Sequence, residues 1–281
     1  MKISLDDLDT EELEAQNFVK LKSKKQKLTG KQSISQLVSR TANQSDPDAR
    51  FENADLNELS RMDFLDELIC GIKTGKEASV FLGKNSRGLV AVKIYTDLRV
   101  RSFKHDEAYR NGRFIADARI KKAIEQGSQK GLEAHQSLWV QEEFRQMQQL
   151  YEHGVRVPKA IAVNGLVLVM EFIGDENGNP ALRISDLKME KVEADEAFRQ
   201  SVQNLKRIVQ SGRVHGDYST FNILWHNEEA VVIDFPQVIE IIKNPNADTF
   251  LRRDVYSLCK SFMKQGVIAN EAKVLREVRA G

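Results

Sequence analysis

Four short stretches of the chain carry residues able to handle phosphate and a divalent metal. In His215-Gly216-Asp217-Tyr218-Ser219-Thr220-Phe221-Asn222, Asp217 and Asn222 stand five residues apart. An aspartate at the start of such a loop can accept a hydroxyl proton, and an asparagine five residues on can turn back to a metal ion. Asp234 follows the apolar run Val231-Val232-Ile233, twelve residues after Asn222. A carboxylate there can hold a metal that bridges phosphates. Lys93 ends the apolar strand Leu89-Val90-Ala91-Val92, a place from which a lysine can hold the α and β phosphates of a nucleotide. Singly each pattern is common. In this chain order they fit one machine for phosphoryl transfer.

The fourth stretch, residues 138–153, reads as a helix. At about 100° per residue, Val140, Phe144, Met147 and Tyr151 fall within about 60° of arc, one apolar stripe. Glu143 then lies about 70° from the stripe centre, and Glu142 about 170° away. A carboxylate that must reach inward to a buried lysine belongs at the stripe's edge, so Glu143 rather than Glu142 is the expected partner of Lys93.

Two competing motifs fail on detail. Gly71-Ile72-Lys73-Thr74-Gly75-Lys76-Glu77 has its glycines one residue too close for a P-loop, and Glu77 stands where Ser or Thr must bind magnesium. Asp175-Glu176-Asn177-Gly178-Asn179-Pro180 places Pro180 at the obligatory glycine of a calcium loop and reads as a turn. The five histidines show no metal spacing, and His215 is expected to be a structural hydrogen-bonding residue beside the loop.

The elements that must position these groups follow from the apolar pattern. Residues 67–95 hold short alternations broken by Gly71, Gly75, Gly83 and Gly88, which predicts three antiparallel strands. Two further strands, residues 159–164 and 166–172, meet at Asn164-Gly165, a type I′ hairpin signal. Residues 193–211 predict a helix with Phe198, Val202, Leu205 and Val209 on one face, and residues 247–263 a last helix. Strands first and helices later predict an α+β chain, a small antiparallel-sheet lobe joined to a mainly helical one. The expected divisions are a charged, mostly disordered extension over 1–60, a first lobe over 61–174 and a second over 175–281. Residues 99–137 are charged and hold few large apolar groups, so a mobile insert that takes the protein's own phosphate is expected there, with Ser102, Ser128 and Ser137 as acceptors.

Composition sets outer bounds. The chain has 281 residues, 42 Lys+Arg against 41 Asp+Glu, and a net charge of +1, which removes a global field for nucleic acid or membrane. A local one remains: the lysine run at residues 20–27 could meet RNA phosphates. Cys70 and Cys259 are too few for a disulfide scaffold or thiolate metal site, and a reduced cytoplasmic chain is the expectation. The longest apolar runs are far short of a membrane span, and the acidic start is no signal peptide.

With these residues in view, the sequence resembles the RIO family of atypical protein kinases. The resemblance is carried by Thr74-Gly75-Lys76-Glu77-Ala78-Ser79-Val80, the strand ending Lys93-Ile94-Tyr95, the run from Val167 through Gly174, the loop from His215 to Asn222, and Ile233-Asp234-Phe235-Pro236-Gln237. It implies a truncated two-lobed protein-kinase-like fold without the usual activation segment. It also implies ATP, with Mg²⁺ or Mn²⁺, as cofactors. Nucleotide contacts would come from Thr74, Gly75, Lys76, Glu77, Ala78, Ser79 and Val80, from Lys93 with Glu143, and from the hinge backbone at Glu171 and Ile173. Asp217 would be the proton acceptor, Asn222 and Asp234 the metal holders, and Asp234 a site of aspartyl-phosphate. The long segment before Glu143 is similar to the flexible loop of the family's first subfamily. Lys73 departs from the family, where a serine often stands.

The implied activity is a protein Ser/Thr kinase or ATPase acting on a protein substrate, itself or water. Two other readings stand beside it. One is an ATP-gated factor that binds ribosomal particles or RNA through the lysine run. The other is a small-molecule phosphotransferase of the aminoglycoside or choline type, for which the roughly forty residues between hinge and His215 leave little room.

Overall fold

A computed structural model describes residues 50–51, 53–75, 78–95, 129–235 and 237–280, with the side chains of 129–135 left aside. The expected disorder of residues 1–49, the lysine run and most of the expected insert lie outside the described residues.

The first lobe is a five-stranded antiparallel sheet. Its strands are β1 (Glu67–Thr74), β2 (Ala78–Asn85), β3 (Gly88–Tyr95), β4 (Ala160–Asn164) and β5 (Val167–Glu171), in the order β1-β2-β3-β5-β4. The β2–β3 connection is two residues long, with Asn85 Oδ1 accepting from Arg87 N at 2.9 Å to close it. Alternation then sorts the side chains. Phe81, Val90, Val92, Ile94, Val167 and Val169 face one side and form a buried cluster with Leu56, Leu59 and Leu65. Val80, Ala91, Lys93, Tyr95 and Met170 face the other side, toward the second lobe. Gly83 belongs to the first side, where a Cβ would come within 3.0 Å of Val92 and closer still to Leu65.

A helix, α1 (Ala54–Arg61), lids that cluster, inside the stretch expected to be extension. Asn53 caps it by accepting from Leu56 N at 3.0 Å. The Asp55 carboxylate accepts from Leu166 N at 2.9 Å, which pins α1 to the β4–β5 hairpin. That hairpin turns at Gly165-Leu166, one residue later than expected, because Asn164 is paired with Val167. A type I′ turn needs positive φ at both central residues; Gly165 has it (50°) and Leu166 does not.

Helix α2 (Gln129–Glu152) crosses between the lobes. It begins nine residues before the expected start, inside the stretch read as insert. Its buried positions Gln136, Trp139, Val140, Glu143, Gln146, Met147 and Leu150 span about 120° centred on Glu143. The inward face is therefore rotated about 70° from the apolar stripe read off the sequence. Tyr151, placed on that stripe, is 46% exposed, and Leu150 is buried instead.

The second lobe holds α3 (Lys191–Gln210), α4 (Ala247–Met263) and α5 (Glu271–Arg279), with α5 against α3 and α4. Helix α5 was not expected; Asn270 caps it, accepting from Lys273 N at 2.9 Å, and Val274 and Val278 are its buried contacts. Short strands complete the lobe: β6 (Leu182–Arg183), β8 (Ile223–His226) and β9 (Glu229–Val232) in one sheet, β7 (Arg213–Val214) with β10 (Ile239–Glu240) in another. Its core joins Ile184, Leu205, Ile208, Tyr218, Leu258 and Phe262 to Met147, Leu150 and Leu168 of the first lobe.

Candidate active site

A cleft of about 530 Å³ runs between the lobes. Val80 and Ala91 from the sheet, with Leu224 and Ile233 from the second lobe, give its lining apolar groups. Lys93, Glu143 and Asp234 bring charge to the same cleft. Lys93 reaches it because β3 alternates: its neighbours Val92 and Ile94 are spent on the opposite face.

Lys93 Nζ lies 2.8 Å from Glu143 Oε1 and 3.0 Å from Asp234 Oδ1. Tyr95, two residues along the same face, donates its hydroxyl to Glu143 Oε2, and Lys93 Nζ sits 5.1 Å from the Tyr95 ring centre. Glu142 faces away and pairs with Arg145 at 2.7 Å. Burial alone would lower the Lys93 pKa; Asp234 and Glu143 reverse this and leave it raised. Burial pushes the Glu143 carboxyl up, opposed by Lys93. Desolvation inside the cleft would also raise Asp234, although its side chain keeps an exposed edge; Lys93, with Lys73 behind it, holds it below its ordinary value.

Asp234 stands just past β9 with φ 69°, a left-handed conformation that costs about 1 kcal/mol or more for a residue with a Cβ. It persists because both neighbours are held. Ile233 N donates to Asn222 O at 2.9 Å, and Phe235 is buried edge-on to His215 at 5.5 Å.

The loop before β8 is built from irregular backbone. Gly216 has φ 85°, so a glycine fits here where an arginine stands in ordinary kinases. Asn222 Nδ2 donates to the Asp217 carboxylate and to the Asp217 carbonyl, each at 2.9 Å. Asp217 N donates to His215 Nδ1 at 3.3 Å. His215 is fully buried and burial lowers its pKa, so it serves as a neutral packing and acceptor group.

Asp254, which the sequence reading passed over, anchors this loop. From α4 its carboxylate accepts Gly216 N at 2.8 Å and Tyr218 N at 3.0 Å. The neighbouring Arg253 guanidinium donates to Gly216 O, and Tyr218 donates its hydroxyl to Ser201 O at 2.8 Å. A signal was present: Asp254 is the one acid among Phe250, Leu251, Val255, Leu258 and Phe262 on the apolar face of residues 247–263.

Of the residues expected at the site, Gly75, Ala78, Val80, Lys93, Glu143, Glu171, Ile173, Asn222 and Asp234 line the cleft. Thr74 and Ser79 do not, and Asp217 stands behind Asn222. Lys76 and Glu77 lie outside the described residues. The Glu171 side chain is taken up by Arg156 at 3.2 Å and by Lys159 N at 3.0 Å, and its amide donates to Lys159 O at 2.8 Å, which leaves its carbonyl to face a ligand. The Ile173 carbonyl accepts from Ala181 N at 2.9 Å, leaving its amide. Lys73 and Arg183 also line the cleft and were not expected there. A bulge in β1 between Gly71 and Lys73 brings consecutive residues, Ile72 and Lys73, to the same side.

The donor set suits magnesium. Asp234, which lines the cleft, offers a carboxylate on a side chain that is 45% exposed, and Asn222, with its amide nitrogen spent on Asp217, keeps an acceptor oxygen. Among the described residues no cluster of three or more His, Cys, Asp or Glu could hold a metal. Mg²⁺ needs none, since one or two protein oxygens plus phosphates suffice.

Comparison with known proteins agrees with this geometry. The family profile of the RIO domain matches residues 79–275. The RIO-type serine/threonine-protein kinase Rio1 of Haloferax volcanii is 38% identical over 201 residues, covering 71% of this chain and 64% of that protein. The Rio1 kinase of Methanocaldococcus jannaschii is 33% identical over 207 residues (73% and 66%), and human serine/threonine-protein kinase RIO1 is 32% identical over 209 (73% and 35%). The chain thus matches about two thirds of its archaeal relatives and a third of the human one. Among solved structures, the Rio2 kinase–ADP/Mg²⁺–phosphoaspartate complex of Chaetomium thermophilum superposes with a TM-score of 0.59 at 20% identity, covering 81% of this chain and 66% of that one. The fold is thus the two-lobed kinase-like α+β fold, and the chain belongs to the RIO family.

Proposed function

We propose that this chain is an ATP- and Mg²⁺-dependent phosphotransferase that passes the γ-phosphate to a Ser/Thr hydroxyl of a protein, to itself, or to water. The observation that carries the reading is the meeting of Lys93, Glu143 and Asp234 in a cleft that is also lined by apolar groups. That mixed lining suits a nucleotide, with its flat base and its charged phosphates.

In this reading Lys93, steadied by Glu143, holds the α and β phosphates. Gly75, Ala78 and Val80, which line the cleft, would lie beside them, and the backbone of Glu171 and Ile173 would meet the base. Asn222 and Asp234 would hold Mg²⁺, which when bound neutralises phosphate charge. Asp217 accepts the hydroxyl proton while the substrate oxygen bonds to the γ-phosphorus and the bond to ADP breaks. The lowered pKa of Asp234 keeps it ionised. It can therefore also be the acceptor: a carboxylate oxygen bonds to the γ-phosphorus, ADP leaves, and water later hydrolyses the acyl phosphate. Contact with ribosomal particles or RNA through residues 20–27, and a cytoplasmic location, belong to the same proposal. Among the described residues no helix is long and apolar enough to cross a membrane.

The test is incubation of the full chain with γ-labelled ATP and Mg²⁺. Label is expected on Ser/Thr, on a hydroxylamine-sensitive acyl phosphate, or as free phosphate, and Asp234→Asn is expected to stop all three. Absence of Mg²⁺-dependent ATP consumption by the folded wild-type chain would overturn the reading.

A further inference from the structure

Arg213 is a buried arginine at the junction of the two lobes, and the proposed chemistry does not use it directly. Its Nε donates to Gln146 Oε1 at 2.6 Å, its Nη1 to Ser211 O at 2.6 Å, and its Nη2 to Gln149 Oε1. Gln146 and Gln149 lie on α2, three and six residues beyond Glu143. On the other side, Arg213 opens the strand β7, two residues before His215 and four before Asp217. One guanidinium therefore grips the helix that carries Glu143 and the strand that leads into the catalytic loop.

The surrounding charges extend the grip. Glu240, paired with Arg213 across β7–β10, accepts from Arg145 of α2 at 3.5 Å. Arg145 also pairs with Glu142 at 2.7 Å, and the Gln146 amide donates to the same Glu142. The charged groups facing Arg213 are thus Glu240, Arg145 and Glu142, and burial lowers its pKa without removing its charge.

We propose that Arg213 is a positioning residue that fixes the rotation of α2, and through it the Lys93–Glu143 contact, relative to the catalytic loop. Rolling α2 far enough to withdraw Glu143 strips the guanidinium of Gln146 and Gln149, and a buried charge without partners is strongly unfavourable. The planar fork matters, because a lysine ammonium cannot reach three acceptors set apart in a plane. The inference rests on the reading of Lys93 and Glu143 as nucleotide-handling groups.

The experiment uses the full chain in two parts. In ATP turnover, Arg213→Met and Arg213→Lys are each expected to lower kcat/KM about tenfold with a normal melting profile. In a Glu143→Gln background the same changes are expected to add less than about twofold, because the effect already runs through Glu143. Should Arg213→Met fail to fold, Gln149→Leu, which leaves Arg213 its bonds to Gln146 and Ser211, is expected to give a loss of about threefold with the same background dependence. Losses that multiply undiminished in the Glu143→Gln background, or wild-type turnover in the Arg213 variants, would overturn the proposal. The second part needs no activity. Trp139 lies on α2, and with Trp225→Phe it is the remaining tryptophan. Arg213→Met is expected to shift its emission to the red, and an unchanged spectrum counts against the grip. A wild-type chain that turns over no ATP sinks the proposed function alone, because the Trp139 spectrum still decides whether Arg213 holds α2.

Discussion

Lys93 and Asp217 stand in opposite lobes, and they are held there by different means. Lys93 rides on β3, paired on both sides by β2 and β5, so its direction follows from strand alternation. Asp217 sits on irregular backbone between Gly216, in a left-handed conformation, and a 3₁₀ turn at Thr220–Asn222. No ladder holds that loop. Distant groups do: Asp254 and Arg253 from α4, Ser201 from α3, and the adjacent His215. The sheet wall is thus positioned by a local repeat, and the loop wall by a few buried hydrogen bonds, each with a large share of the work. Damage to one contact should be diluted in the first wall and concentrated in the second.

The largest effect is expected at Asp217. Asp217→Asn keeps an oxygen for the Asn222 amide and leaves the cleft lining intact, so the variant should fold and bind ATP. It cannot accept a proton, and turnover should fall about 10²- to 10⁴-fold, roughly 3 to 5 kcal/mol of barrier. Steady-state kinetics beside ATP titration checks it, and near-normal turnover would remove Asp217 from the mechanism.

The next effect tests the anchor of the loop wall. Burial raises the Asp254 carboxyl from its ordinary 3.8 to about 7, with the Gly216 and Tyr218 amides pulling the other way. Between those values the folded chain keeps a proton that the unfolded chain releases. The stabilisation is therefore full below about pH 4 and is lost as pH rises through about 7, by up to about 4 kcal/mol. His215 has the opposite sign: its folded pKa is lowered, so its contribution is lost as pH falls below the ordinary histidine value. Urea melts at pH 5 and pH 8 on wild type and Asp254→Asn separate the two. The variant should show a smaller fall of stability toward alkaline pH, and identical slopes would mean that Asp254 does not titrate in this window.

The smallest effect sharpens the contrast within α2. Glu143→Gln should lower turnover about tenfold, about 1.4 kcal/mol, by weakening the hold on Lys93. Glu142→Gln keeps an acceptor for Arg145 at the surface and should stay within about 1 kcal/mol of wild type. Equal losses in the two variants would mean that α2 acts through its charge and not through one inward carboxylate.

How much of this was readable in the chain follows the same division. Lys93, Asn222 and Asp234, which line the cleft, were legible because each sits in a run of a few residues whose spacing is itself the signal. Ala78 and Val80 reach the cleft while Ser79 does not, as strand alternation requires. Asp254 stayed hidden because its partners lie 36 and 38 residues away. Helix α1 was hidden for a related reason: only Leu56 and Leu59 mark it, and its docking depends on Asp55 meeting Leu166, 111 residues on.

Helix α2 marks the boundary between the two kinds of knowledge. The sequence by itself determined that residues near 140–150 are helical and that Glu143, and not Glu142, turns inward, since steps of about 100° are a property of the local backbone. Only the tertiary structure decided that the inward face centres on Glu143 and that Gln136 and Gln146 belong to it. A glutamine reads as a surface residue until its partners are known, and the Gln146 carbonyl oxygen finds its donor in Arg213, 67 residues away. Whether burying a polar group is tolerable depends on the hydrogen bonds it finds and not on its own type, and those bonds exist only once the chain has folded.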